Sequence, residues 1–230
     1  MRRALFVACL LACLPLVSAA ATPGPRPFDV RDLIAFDRLS EPSVSPDGQQ
    51  VVFTVSALDL AVNKRRSDLW VVGTDGSGLK PLTRHADNDT SGTWSPDGKT
   101  VFFLSTRSGS SQVWKLPLDG GEAQQLTALP LDVGSFVLSP DGQWVALSME
   151  VFPGSTPEET RQRLDAIAAG KATGKIHDRL FFRHWDSWAD GRRNHIFVMP
   201  ASGGAPVDVM KDMDADAPSK PFGGRGEYTF

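Results

Sequence analysis

Short apolar runs recur along the chain between clusters of Gly, Pro, Asp and Ser: Val51-Val52-Phe53-Thr54-Val55, Val101-Phe102-Phe103-Leu104 and Trp144-Val145-Ala146-Leu147. Runs of this length, rich in β-branched and aromatic residues and bounded by turn formers, predict strands rather than helices. Each is entered from the same tetrapeptide, Ser-Pro-Asp-Gly, at 45–48, 95–98 and 139–142. Proline presets φ at the second position, aspartate bonds neighbouring amides and glycine accepts a positive φ, so each copy predicts a tight turn between two strands.

A second phrase repeats in step with the first. It reads Asp68-Leu69-Trp70-Val71-Val72, then Gln112-Val113-Trp114-Lys115-Leu116, then His195-Ile196-Phe197-Val198-Met199. Turn residues follow each copy (Asp75-Gly76, Asp119-Gly120, Ser202-Gly203), and then a further short strand that ends near Thr83, Thr127 or Val209. Four strands in a unit of about 44 residues, with a turn signal at each junction, is the period of a propeller blade. The predicted fold class is all-β: about three complete four-stranded β-propeller blades of a larger ring of seven or eight, with a short helical insertion in the third. The blades fall near 45–83, 95–127 and 139–209, after an N-terminal segment at 22–44, and 210–230 begins the next blade. Glu227-Tyr228-Thr229-Phe230 reads as the strand ahead of another such turn, so the chain is expected to be part of a longer protein. Trp70, Trp114 and Phe197 are expected to pack between neighbouring blades.

The pattern breaks once, at an insertion over 151–194 in the third repeat. Within it, Thr156-Pro157-Glu158-Glu159 is a helix start: Thr156 as N-cap, Pro157 in the first turn, Glu159 placed to return a bond to the cap. Gly170 offers the stop, and Leu164, Ile167 and Ala168 form a small apolar stripe, enough to lay a helix on the rim as a lid or wall. Glu158 and Glu159 are candidates to hold a substrate's amine, although acids in a first turn also suit the macrodipole and the cap. Further on, Phe181, Phe182, Trp185 and Trp188 lie among charged residues. Trp185, Asp186 and Trp188 are candidates to hold a short peptide by an aromatic wall and an acid, against the alternative that the aromatics are core and that Arg183 and Asp186 pair.

Composition narrows the function classes. A net charge of −3, from 24 basic and 27 acidic residues without a long run of either sign, argues against a nucleic-acid binder. Arg2 and Arg3, then an apolar stretch over 4–17, then small residues at 18–21, read as a secretory signal peptide over 1–21. The product is expected in the periplasm or outside the cell, with no membrane segment once the signal is removed. The only two cysteines, Cys9 and Cys13, lie inside that signal, and Leu10-Leu11-Ala12-Cys13 loosely matches a lipoprotein processing box. No disulfide is therefore expected in the processed protein.

No Gly-x-Ser-x-Gly elbow occurs, so His85, His177, His184 and His195 have no recognisable nucleophile to serve and no catalytic residue is assigned. Asp212, Asp214 and Asp216 begin like a calcium loop, but Ala217 and Gly223 stand where the glycine and the closing glutamate belong. No metal and no cofactor is expected. Asn88-Asp89-Thr90 is a glycosylation acceptor in a eukaryotic secretory route.

The Ser-Pro-Asp-Gly turns, the aromatic-rich strands and the Leu-Trp and Asp-Gly phrases resemble the propeller repeat of the prolyl oligopeptidase family of serine peptidases and of the Tol-Pal propeller protein. The stretch 179–193, together with 216–224, resembles exported bacterial peptidases of dipeptidyl or acylaminoacyl type. That resemblance implies the N-terminal propeller of a serine exopeptidase, gating a hydrolase domain that this chain lacks, with short peptides as partners. The alternative it leaves open is a periplasmic protein-binding propeller with no enzymatic activity. Oligomeric state is left open.

Overall fold

The structure is a computed structural model that describes residues 26–171, 173–174, 183–184 and 187–230. It falls into two units, 1–34 and 35–230. The described part of the first carries all but the last residue of the short helix α1 (Val30–Ala35), which starts where Asp29 accepts the Arg31 amide at 2.7 Å. Arg26 pairs with Asp32 across the same turn.

The second unit is built from three antiparallel four-stranded sheets in meander order. The first holds β1 (Arg38–Val44), β2 (Gln50–Asp59), β3 (Lys64–Gly73) and β4 (Lys80–Pro81). The second holds β5 (Asp89–Trp94), β6 (Thr100–Ser105), β7 (Gln112–Pro117) and β8 (Gln124–Gln125). The third holds β9 (Ser135–Leu138), β10 (Trp144–Val151), β13 (Arg193–Pro200) and β14 (Val207–Asp208). Between β10 and β13 lie helix α2 (Pro157–Ala169) and a small hairpin of β11 (Arg183–His184) and β12 (Ser187–Trp188). These are the blades that the repeat predicts.

Each sheet begins ahead of its turn. The first strands, β1, β5 and β9, precede Ser45, Ser95 and Ser139, so the first blade starts within the residues read as the N-terminal segment 22–44. The reason is chemical: Arg38-Leu39-Ser40-Glu41-Pro42 is too polar to read as a strand, because an inner edge strand has little core to cover. Residues 225–230 also differ from expectation. A single 3-10 turn, Arg225–Glu227, stands there; Tyr228 has extended backbone, φ −145° and ψ 153°, yet among the described residues no strand pairs with it.

The turns repeat to the atom. The Ser45 hydroxyl donates to Asp47 Oδ1 at 2.6 Å and accepts the Gln50 amide at 2.9 Å, while Asp47 Oδ1 also accepts the Gln49 amide at 3.0 Å. Ser95 with Asp97, and Ser139 with Asp141, make the same set. The serine hydroxyl, then the amide, hold each exposed aspartate below the usual carboxylate range. Gly48, Gly98 and Gly142 close the turns at φ 72°, 70° and 70°, where a side chain would be strained.

Side chains alternate between the two faces of each sheet, so every blade packs on both sides. Val52, Leu69 and Val71 of the first blade meet Trp94, Val101 and Phe103 of the second. Phe102, Leu104 and Val113, on the opposite face of the second blade, meet Val145, Leu147, Phe197 and Met199 of the third. Trp114 and Phe197 thus pack toward the preceding blade as expected, and Trp70 lies half-buried on the outer face of the first blade. Gly92 lets the first two blades close, since a Cβ there would stand 3.0 Å from Val52 Cγ2.

A polar clasp ties the third strand of each blade to its fourth strand or to the chain just after it. The position is Asp68, Gln112 or His195, and its partner is Thr83, Thr127 or Asp208, at 3.4, 2.8 and 2.9 Å. Burial, rather than any single partner, pushes the Asp68 carboxyl above its ordinary range, and the charge of Asp89 adds to the shift. An acid raised on folding is a burden once pH exceeds the range where free aspartate ionises, and none below it. Asp68→Asn, which supplies the neutral amide chemistry of Gln112, should therefore raise the melting temperature at neutral pH. The advantage should vanish near pH 3, well inside the acid range of free aspartate.

Candidate functional site

Antiparallel meanders sort the loops onto two faces. The Ser-Pro-Asp-Gly turns and the third-to-fourth strand turns share one face; the second-to-third strand loops and the blade-to-blade connections share the other. The insertion leaves from β10 and returns to β13, so it stands on the connection face, beside 126–134 and 209–224. A cleft of about 320 Å³ lies on the turn face, lined by Ser45, Pro46, Asp47, Trp94 and Asp97. Those are repeat residues of a seam, so the break in the repeat marks the stronger candidate.

Helix α2 is positioned by its start. Thr156 accepts the Glu159 amide at 3.2 Å, and Glu159 Oε2 accepts the Thr156 amide at 2.8 Å, closing a capping box with Pro157 in the first turn. Thr160 is fully buried and accepts the Phe152 amide at 3.2 Å; Leu164 packs on the core of the third blade, and the Arg163 guanidinium lies 3.8 Å over the Phe152 ring. The rest of α2 projects outward, with Ile167 63% exposed. Thr156→Ala should cost about 1 kcal/mol, read as a lowered urea midpoint, because it removes an N-cap acceptor.

The candidates separate on this geometry. Glu159 is committed to the cap, whereas Glu158 is exposed on the same turn. Trp188, on β12, is 44% exposed and lies under the Arg183 guanidinium, 5.4 Å from its ring centre. Trp185 and Asp186 lie outside the described residues, as do Phe181, Phe182 and His177. His195 is fully buried in the clasp and serves structure.

A charge network that sequence reading missed anchors the insertion. Glu150, at the end of β10, pairs with Arg192 at 3.1 Å and Lys220 at 2.8 Å; Arg192 also pairs with Asp190 at 2.7 Å. Arg193 pairs with Asp214 at 2.7 Å and Asp216 at 3.7 Å, and Asp216 accepts the Asn194 amide at 2.8 Å. Burial pushes Asp190 up, but the Arg192 amide and guanidinium outweigh it and hold the carboxyl below the usual range. Of the three aspartates that begin like a calcium loop, Asp214 and Asp216 are thus engaged by Arg193. Apart from Asp190 and Arg192, the partners lie many residues apart and share no periodicity, so only alternating charge at 190–193 and 211–220 hinted at them. Among the described residues, no helix is long and apolar enough to cross a membrane.

Comparison with known proteins places this geometry. The profile of the TolB β-propeller domain matches residues 36–153. Dipeptidyl-peptidase 5 of Porphyromonas gingivalis is 30% identical over 229 residues, 96% of this chain and 33% of that protein. Dipeptidyl-peptidase 5 of Porphyromonas endodontalis is 30% identical over 82% of this chain and 27% of its own length. The chain therefore spans about a third of the length of these curated relatives. Among solved structures, the acylaminoacyl peptidase of Pyrococcus horikoshii aligns with a TM-score of 0.56 over 76% of this chain and 25% of its own, at 15% identity, a likeness of fold. With blades, turns and profile in agreement, the chain belongs to the TolB β-propeller domain family.

Proposed function

We propose that this chain is the propeller part of an exported serine exopeptidase of dipeptidyl or acylaminoacyl type, and that its ring narrows access to an α/β-hydrolase domain elsewhere in the same protein. One observation carries the reading. The likeness to dipeptidyl-peptidase 5 runs over 96% of the chain, whereas the blade profile stops at residue 153. A shared blade repeat accounts for the first two blades; it does not account for the insertion and the segment after β14.

Short peptides are the partners that this reading gives, entering on the connection face past α2, where Glu158 and Trp188 are exposed. In the parent protein a serine would attack the acyl carbon, with histidine as base and aspartate orienting it. None of these comes from this chain, whose part is to select what reaches them. The signal-like residues 1–21 support export to the periplasm or beyond, with neither membrane nor nucleic acid as a partner of the processed domain. A second reading, a periplasmic protein-binding propeller without an enzyme, draws support from the TolB profile itself.

One experiment separates the two. The full-length protein is assayed on chromogenic dipeptide and acyl-amino-acid substrates, with and without a serine-directed inhibitor. Hydrolysis abolished by the inhibitor, and none from residues 22–230 alone, is the expected result. No hydrolysis by the full-length protein would leave the binding propeller.

A further inference from the structure

At the seam between the first two blades the chain supplies its own carboxylate. Glu41, on β1, accepts the Ser91 amide at 2.8 Å, the Ser91 hydroxyl at 2.8 Å and the Thr54 hydroxyl at 3.1 Å. Donors from two neighbouring blades thus converge on one anion, between first strands that lie close together.

On the other side of β5 the charge is inverted. Arg225 Nη1 donates to the Thr93 hydroxyl at 2.8 Å, from 132 positions further along the chain. The Tyr228 hydroxyl lies 2.9 Å from the Ser135 hydroxyl, which lies 2.9 Å from that of Ser148. Burial pushes the Tyr228 phenol above its usual range, against hydrogen bonds from Ser135 and Ser148 and the nearby Arg225 charge, so it stays a protonated donor at neutral pH. Glu227, in the same turn as Arg225, is taken by the Ser219 amide at 2.7 Å and hydroxyl at 2.9 Å. Among the described residues no carboxylate lies within ion-pair distance of Arg225. Arg225, Thr93, Ser135 and Tyr228 are all partly exposed.

We propose that Arg225, with the hydroxyls of Thr93 and Tyr228, forms a carboxylate-binding site where residues 225–228 bridge the first strands of the second and third blades. A guanidinium presents its N–H groups as a planar fork that matches a carboxylate, and here one hydroxyl orients it while its remaining donors have no acidic partner. The occupant is either the C-terminal carboxylate of a peptide or a small free carboxylate. The site stands whether or not the parent protein is a peptidase, because its test reads binding and not hydrolysis.

Calorimetry on the full chain uses three probes: N-acetyl-alanyl-alanine, its C-terminal amide, and acetate. The acid should bind roughly tenfold or more tightly than the amide, the scale of one charge-assisted pair. Arg225→Gln should remove that preference, and Arg225→Lys, which keeps the charge without the fork, should keep part of it. Thr93→Val should weaken acid binding several-fold without moving the melting temperature, and it decides the matter if Arg225→Gln fails to fold. Acetate binding as tightly as the acid identifies a small carboxylate as occupant; acid binding alone identifies a peptide terminus. Equal binding of acid and amide, no binding of either acid probe, or a preference unchanged in the variants overturns the site.

Discussion

Arg107→Ala should cost about 3–5 kcal/mol of stability, the range for removing one partner of a buried ion pair. Asp89, on β5, is fully buried; its Oδ2 meets Arg107 Nη2 at 2.5 Å, and its Oδ1 has no hydrogen-bond partner among the described residues. The guanidinium also lies 4.9 Å from the Trp114 ring centre and 5.4 Å from that of Phe103, so alanine removes packing together with charge. The carboxylate left behind is fully buried, near the Asp68 carboxyl, with one oxygen already unsatisfied. Pairing the change with Asp89→Asn should restore a large part of the loss, because the stranded charge is then gone. A urea titration of wild type, both single variants and the double reads the coupling directly. Additive losses would mean that Asp89 and Arg107 do not stabilise the second blade as a pair.

His195→Ala should cost about 3 kcal/mol or more, through a cavity and two orphaned acceptors. The ring is fully buried, with Nδ1 2.9 Å from Asp208 Oδ2 and Nε2 3.0 Å from the Met213 carbonyl. Asp208 Oδ1 in turn accepts the Met210 amide at 2.8 Å, so the histidine holds β14 and the chain after it to β13. The loss should appear in the third blade first, as faster amide exchange at 207–213 while β2 and β6 stay protected. Uniform exchange across all three blades would show instead that the clasp is not local.

These two side chains mark what the sequence makes legible and what it hides. The turns at 45–48, 95–98 and 139–142 are readable because proline, aspartate and glycine each have one conformational use there, and the structure repeats their bonds in three copies. The clasp escapes notice because Asp68, Gln112 and His195 do one job with three chemistries. The first strand of the first blade blurs into a loop because Arg38–Val44 is largely polar and exposed. At the candidate site, the start of α2 was legible down to the Glu159 bond, since capping is local. The links from Glu150 to Lys220 and from Thr93 to Arg225 are invisible, because blade geometry rather than sequence spacing brings them together.

Removing the insertion tests whether it governs what enters. In the full-length protein, residues 154–191 are replaced by a short Gly-Ser linker, and kcat/KM is compared on a chromogenic dipeptide and on a long unstructured peptide carrying the same terminal residues. The variant should stay folded and its ratio should shift toward the long peptide by roughly tenfold or more, a change of about 1.4 kcal/mol in relative barrier. A ratio equal to that of the wild type, in a variant that melts as a folded protein, would contradict a gate built by this propeller.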